Sequence, residues 1–287
     1  MDILDYAFMQ RALIAAALVG ITAPAIGTYL VQRRQALMGD GLGHVAMTGV
    51  ALGLVLQTSP VWMATLVAVL GAVGMELIRA RGKTSGDVAL AMLFYGGLAG
   101  GVMIINLGGG QTASLLGSMF GSITTVAAED VTAMAILAAF VLAVAIGLRR
   151  QLFAVCQDEE FARVTGLPVR ALNLLIAVTA AITVTVAMRI VGLLLVSAML
   201  VIPVAAAQRL TRSFAATLGL AMAISVTVSL TGTAATYYIN VPSGATIVLL
   251  AIGVFIAMTA LSAPLARRRA RASLAAEEVC TRDDVKV

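Results

Sequence analysis

The stretch MGDGLGHVAMTGVALGLVLQ (residues 38–57) places an acid and the only histidine of the chain at the start of an apolar run. Counted from His44 to Leu56, this run is too short to cross a hydrocarbon core of about 30 Å at about 1.5 Å per residue. A crossing of about 20 residues must start near Met38, which draws Asp40 and His44 into the membrane. The alternative is a helix broken at the glycines around Asp40, which would have to lie buried in protein or line a cavity.

The rest of the chain is equally apolar. Of its 287 residues, 61% are hydrophobic and 11% are charged, whereas a soluble domain carries about 25% charged residues. This composition predicts an all-α polytopic membrane protein with about nine transmembrane helices. An alternative with eight helices fuses the sixth and seventh apolar segments. The predicted segments are 11–31, 38–57, 61–78, 88–106, 130–148, 171–188, 190–208, 214–236 and 244–264.

The distribution of basic residues predicts the orientation. With nine crossings, 17 of the 19 Lys and Arg fall on one side, and only Arg11 and Arg189 fall on the other. This side is cytoplasmic by the positive-inside rule, so we expect a multi-pass protein of the plasma (inner) membrane with its N-terminus outside. Residues 1–266 form the predicted permease domain, and 267–287 form a basic, polar cytoplasmic tail that we expect to be disordered. The net charge of +5 reflects this topology and does not indicate a nucleic-acid partner.

Asp40 and His44 form the most specific chemical pattern of the chain. Four residues apart on a helix, they share one face, and an imidazole with a carboxylate is a common ligand pair for borderline divalent metals. Ionisable groups inside the bilayer are costly and point to function. The structural alternative is a histidine hydrogen-bonded between helices with the acid as its partner. If the pair binds metal, its affinity should fall as His44 is protonated, since only the neutral imidazole is a ligand.

A short amphipathic helix is predicted over 157–167, between the fifth and sixth segments. Gly166 supplies its C-terminal stop, and Pro168 comes two residues later. The predicted polar side carries Asp158, Glu159, Glu160 and Arg163, and the predicted apolar side carries Phe161, Val164 and Leu167.

Three further patterns bear on packing and on enzymatic activity. Glu76 can pair with Arg79 or Arg81 at helical spacing. The glycines at 96, 97, 100 and 101 are typical of close helix packing in membranes. Gly82-Lys83-Thr84 resembles the end of a phosphate-binding loop, but Leu77 stands where that loop needs a glycine. We therefore predict no ATPase site, and no enzymatic activity, in this chain.

Several separated motifs resemble one transporter family. RRQALMGDGLGHVAMTGVALG (33–53) is similar to the signature of the membrane subunits of ABC importers for zinc, manganese or iron, the ABC-3 type metal permeases. The resemblance runs from residue 10 to about 264. It continues in order through SGDVALAMLFYGGLAGG (85–101), LLGSMFGSITTVAAEDV (115–131), VGLLLVSAMLVIPVAAAQRL (191–210) and PSGATIVLLAIGVFIAM (242–258).

This resemblance implies a type II ABC importer permease that works with cytosolic ATPase subunits, an extracytoplasmic metal-binding lipoprotein and a second permease, expected to be an identical copy. Asp40 and His44 match the Asp and His thought to line the family's ion path. DEEFARVTGLPVRAL (158–172) resembles the segment that couples these permeases, and the related siderophore and cobalamin permeases, to their ATPases. The implied cargo is a divalent metal, with zinc first and manganese or iron as alternatives. The resemblance also implies that no cofactor is held permanently and that ATP binds only to the partner.

Two other functions stay open from the sequence. A siderophore or cobalamin permease would share the coupling segment but pass a bulky chelate. An ion-coupled secondary carrier would need proton- or sodium-coupling groups within the membrane, and Asp40 and His44 are the only good candidates.

Overall fold

The computed structural model describes residues 6–80, 86–109, 127–239 and 241–261, and every regular element within them is a helix. The predicted tail 267–287 and the possible partner Arg81 lie outside these residues. The helices are α1 (Ala7–Gln32), α2 (Met38–Val55), α3 (Pro60–Ala80), α4 (Gly86–Leu107), α5 (Ala128–Gly147), α6 (Arg149–Gln157), α7 (Glu159–Val164), α8 (Val169–Val191), α9 (Leu193–Leu210), α10 (Phe214–Ile239) and α11 (Ser243–Leu261).

Nine of the described helices, all except α6 and α7, are long and apolar enough to cross a membrane. They match the nine predicted segments, with ends that differ by a few residues. The α2 helix begins at Met38, where the span-length argument places it, and continues without interruption to Val55. The broken-helix alternative is therefore wrong, and Asp40 and His44 lie on one continuous helix.

A single glycine separates α8 from α9. Gly192 has φ 86° and ψ 155°, a combination that is essentially restricted to glycine because a side chain would collide with the backbone. Val191 and Leu193 on either side of it are buried. The chain therefore turns inside the protein at this point, and the fused helix of the eight-span alternative is wrong.

The α2 helix lies at the centre of the packing. It contacts α3 and α4 most extensively and also contacts α8 and α9, while α1 packs against α5, α9 and α10. Gly97 of α4 faces the α2 backbone so closely that a Cβ there would lie 2.6 Å from the amide nitrogen of Val45. Small residues permit such contacts between membrane helices. The prediction of close packing is confirmed at Gly97 and is wrong at Gly96, where no atom lies within 4 Å of an added Cβ.

The α6 helix was not predicted, because the fifth predicted span ends at residue 148 and the next predicted helix begins at residue 157. Leu152 and Val155, three residues apart, are buried, and the Phe153 ring packs 4.8 Å from the ring of Phe214. The spacing of Leu152 and Val155 was overlooked because two arginines, at 149 and 150, come directly before it. The α6 helix brings α7 beneath the ends of α1 and α3.

Candidate ion path and coupling segment

His44 is buried, with 4% of its surface exposed. Its Nε2 atom lies 3.9 Å from Oδ1 of Asp40, which is beyond hydrogen-bond distance. Its Nδ1 atom has no hydrogen-bond partner among the described residues. The structure thus brings the two predicted residues together on one face of α2, without the hydrogen bond that the structural alternative requires. The imidazole keeps its coordinating capacity.

The α4 helix closes one side of the histidine. The ring of Phe94 meets the imidazole edge-on, with ring centroids 4.3 Å apart. The Thr48 hydroxyl donates to the Gly97 carbonyl over 2.6 Å, which fixes α4 against α2 one turn beyond His44. Phe94 was not predicted from the sequence, because only the packed structure pairs this part of α4 with α2.

The α9 helix covers the other side, and it adds a polar group that sequence reasoning also missed. A side chain at Gly43 would collide with Leu193, and one at Gly39 would collide with Leu200. Between these contacts, the Ser197 hydroxyl donates to Oδ1 of Asp40 over 3.3 Å. The available signal was a hydroxyl in an apolar helix, four residues after Leu193 and three before Leu200.

The pair offers few ligands from one chain. Within the described ranges, no three His, Cys, Asp or Glu side chains converge as a metal site would require. Asp40 is partly open, with 29% of its side chain exposed, whereas His44 is enclosed. One imidazole nitrogen, one carboxylate and one nearby hydroxyl are fewer than the four protein ligands of a closed structural zinc site.

The predicted coupling segment contains a capped helix. The carboxylate of Asp158 accepts hydrogen bonds from the amides of Glu160 (2.9 Å) and Phe161 (3.0 Å), so Asp158 is the N-cap of α7. Gly166 ends it in the left-handed region at φ 82°. The Leu167 amide then donates to the Ala162 carbonyl over 3.1 Å, the bond of a Schellman motif. The position of the stop at Gly166 is thus as predicted.

The surroundings of α7 differ from the prediction at Glu159. Phe161 and Val164 are 63% and 87% exposed, and Ala162 is the buried residue of the helix. Glu160 and Arg163 are exposed as predicted, but Glu159 turns towards the other helices. The helix packs against the rest of the chain through the small Ala162 and through charged contacts of Glu159, and it leaves Phe161 and Val164 exposed.

Glu159 joins a compact group of charges. Its Oε1 atom lies 2.7 Å from Nη2 of Arg79 and 3.3 Å from Nη2 of Arg33. It also accepts a hydrogen bond from the side-chain nitrogen Nδ2 of Asn173 over 3.1 Å. Arg79 also binds Glu76 at 2.8 Å, so the predicted pair is confirmed for Arg79. We call Arg33, Glu76, Arg79 and Glu159 the ionic cluster.

Arg33 is the most enclosed arginine of the ionic cluster, with 4% of its side chain exposed. Burial lowers the pKa of its guanidinium and the charge of Arg79 lowers it further, while Glu76 and Glu159 oppose this shift. Arginine nevertheless stays protonated in proteins. The two guanidinium groups therefore meet two carboxylates, and the formal charges of the cluster balance.

Comparison with known proteins agrees with this architecture. The sequence model of the ABC 3 transport family matches residues 5–262. The chain is 32% identical over 260 residues to a probable metal transport system membrane protein of Treponema pallidum, covering 90% of this chain and 97% of that protein. It is 31% identical over 254 residues to the manganese transport system membrane protein MntC of Halalkalibacterium halodurans, covering 88% and 87%.

One solved structure is similar over nearly the whole chain. It is PsaBC from Streptococcus pneumoniae in complex with Fab, with a TM-score of 0.79 and 30% identity over 89% of this chain and 92% of that one. The family match spans nine helices that could cross a membrane, including the α2 helix with its buried acid and histidine. The chain therefore belongs to the ABC 3 transport family.

Proposed function

We propose that this chain is the membrane permease of an ATP-driven importer of divalent transition metal ions, and that the ion passes Asp40 and His44. One observation carries the proposal: a buried imidazole, with Nδ1 unpartnered among the described residues, faces a carboxylate 3.9 Å away on a helix of membrane-spanning length. A charged side chain such as Asp at the centre of a membrane helix costs about 3 kcal/mol or more. A cationic cargo offsets this cost by binding both groups.

The incomplete ligand set suits passage better than storage. Conduction needs a site that binds well enough to admit the ion and weakly enough to release it. Asp40 and His44 replace part of the hydration shell, and the Ser197 hydroxyl keeps one oxygen of Asp40 in place. A second permease copy supplies the same pair again, so that up to four side chains can surround the ion.

Family membership supports the rest of the proposed importer in outline. An extracytoplasmic metal-binding lipoprotein delivers the ion to an outward-open pair of permeases, for which we propose two identical copies. Cytosolic ATPases dock on α7, where Phe161 and Val164 are exposed, in a helix-in-groove contact. ATP-driven closure of the ATPases moves α7, and the ion leaves on the cytoplasmic side. The N-terminus lies outside and the Arg-rich tail inside.

The chemistry of Asp40 and His44 favours divalent transition metals as the transported ions. One imidazole and one carboxylate suit zinc, manganese and ferrous iron, and the affinity order of a site does not by itself set cellular selectivity. Zinc is the first metal to test, because imidazole suits it well. Manganese is tested beside it, since the similar MntC protein is named for manganese transport.

The proposal is tested by uptake into proteoliposomes that contain the permease, its partner ATPase and its binding protein. Radioactive zinc and manganese are supplied outside, and ATP is enclosed with the ATPase. Asp40→Asn and His44→Gln should lower uptake to the level without ATP, because each removes a ligand at nearly constant volume. Glu129→Gln, at an exposed acid in the first turn of α5, should transport as the native chain does.

Native uptake by both Asp40→Asn and His44→Gln would overturn the assignment of the ion path. Transport of a siderophore or cobalamin in place of the free ion would favour the chelate permease. Uptake by the permease without any ATPase would favour a secondary carrier.

A further inference from the structure

The ionic cluster connects three parts of the chain that are distant in sequence. Arg33 comes directly after the last residue of α1, Glu76 and Arg79 lie in the last turns of α3, and Glu159 is the first residue of α7. Both arginines contact the same oxygen of Glu159, Oε1. Glu159 is therefore the charged contact through which α7 is held to the ends of α1 and α3.

The linker from Arg33 to α2 is short and hydrogen-bonded. Arg34 adopts φ 59°, and the Gln35 amide donates to the Leu30 carbonyl over 2.8 Å, which closes a Schellman motif without glycine. The Met38 amide then donates to the Gln35 carbonyl over 3.0 Å, and α2 starts there. A displacement of Arg33 is thus passed to α2, and Asp40 lies in the first turn of that helix.

A second contact joins the end of α1 to the residue that precedes Asp158, the N-cap of α7. The Gln32 side-chain amide donates to Oε1 of Gln157 over 2.8 Å, which links the last residue of α1 to the last residue of α6. The opposite side of α7 has no such attachment among the described residues, since Phe161 and Val164 are exposed. The α7 helix is therefore fastened on its inner side and open on its outer side.

We propose that Glu159 is a positioning residue that makes α7 and the cytoplasmic ends of α1 and α3 move as one unit, so that movement of α7 reaches α2 and its ion-path residues. The inference rests on the proposed function, because it assumes that α7 receives force from an ATPase. Its physical basis is the enclosure of Arg33. If α7 moved alone, it would strip this buried guanidinium of a carboxylate partner, which is far costlier than moving the balanced group together.

The test is the ratio of metal ions transported to ATP hydrolysed, measured in proteoliposomes with the complete importer. Glu159→Gln keeps the shape of the side chain and removes its charge. We expect the ratio to fall by about tenfold or more, the size of the loss of one charge-assisted hydrogen bond, while ATP hydrolysis and binding of the ATPase persist. Arg212→Gln, at an exposed arginine between α9 and α10 and outside the ionic cluster, should leave the ratio unchanged.

A double variant separates positioning from simple stability. Glu159→Gln leaves a surplus positive charge and should lower the unfolding temperature. Adding Arg33→Gln restores the charge balance and should recover much of that temperature, but the ratio should stay low because the contact between α7 and α1 is still missing. Recovery of the ratio together with stability would overturn the proposal and leave the ionic cluster a structural role only.

A crosslink tests the movement itself. In a background with Cys156→Ala and Cys280→Ser, Gln32→Cys and Gln157→Cys are joined by a short thiol crosslinker. Two parts that move as one tolerate this bond, so the ratio should stay near the uncrosslinked value. If crosslinking abolished transport, and cutting a cleavable linker restored it, the two parts would have to separate during the cycle. This result would overturn the proposal. Loss of ATP-driven uptake in the native importer would instead contradict the proposed function.

Discussion

The contact between α4 and the backbone beside His44 gives a sharp test of the site geometry. In Gly97→Ala, the new Cβ would lie 2.6 Å from the Val45 amide nitrogen and 2.7 Å from the His44 carbonyl carbon. Opening 2.6 Å to ordinary contact at 3.4 Å requires a shift of about 0.8 Å between two helix backbones. Because neither side has a flexible side chain that could yield, we expect a cost of about 1–3 kcal/mol, as in overpacked cores.

The same shift moves Phe94 away from the imidazole and strains the hydrogen bond from Thr48 to Gly97. Misplacement by about 1 Å can cost up to about 100-fold where groups must align, so we expect metal uptake to fall by about tenfold. Gly96→Ala is the matched control, because nothing lies within 4 Å of its new Cβ. It should gain about 0.5–1 kcal/mol from better helix propensity.

The measurements are the unfolding temperature of the purified permease in nanodiscs and ATP-driven uptake into proteoliposomes. We expect Gly97→Ala to lower the unfolding temperature and Gly96→Ala to raise it, and we expect only Gly97→Ala to lose uptake. Equal behaviour of Gly96→Ala and Gly97→Ala in both assays would refute the close contact between α4 and the residue that carries the imidazole.

Three further predictions concern α7 and the residues around it. Asp158→Ala removes the N-cap of α7 and should destabilise this helix by about 1 kcal/mol, so that more ATP is hydrolysed per ion transported. Asp158→Ser keeps a capping side chain and should restore most of the coupling. Equal coupling in the two variants would argue against the cap. Gly166→Ala forces a side chain into the left-handed region at a cost of about 1 kcal/mol, while Gly147→Ala, also with no atom near its Cβ, lacks this penalty; matching unfolding temperatures would contradict this account. Burial raises the pKa of the Cys156 thiol to about 12, so in a Cys280→Ser background iodoacetamide at about pH 8 should label the folded importer far more slowly than the unfolded chain. Labelling of the folded and unfolded chains at equal rates would contradict the burial. The folded state keeps a proton that the unfolded thiol loses above about pH 8.5, so the contribution of Cys156 to stability is present below that pH and declines as the pH rises towards 12.

The helices could be predicted from the sequence because their signals are local. Nine apolar runs of sufficient length predict nine spans, and the span-length argument predicts a start at Met38, where α2 does begin. The pair of Glu76 with Arg79 is predicted from helical spacing alone. In each case the residues that carry the signal are neighbours in sequence or on one helix turn.

The surroundings of the candidate site could not be predicted, because they depend on which helices pack together. Phe94 and Ser197 reach the pair on α2 from helices that are distant in sequence. Glu159 looked like a solvated acid on an amphipathic helix, but the arginines that attract it come from α1 and α3. The pattern of polar and apolar residues assigns the polar side of a short helix to water. This assignment fails at Glu159, because buried charges of other helices attract it.

The most direct test of the central claim uses the fact that the chain has a single histidine. Permease purified through a tag without histidine is placed in nanodiscs and loaded with zinc, and X-ray absorption at the zinc edge is recorded. If the ion binds at His44, the native chain gives imidazole scattering, attributable only to His44, and His44→Gln loses it. Zinc bound through oxygen alone in the native permease, or an identical spectrum in His44→Gln, would contradict the passage of the ion over Asp40 and His44.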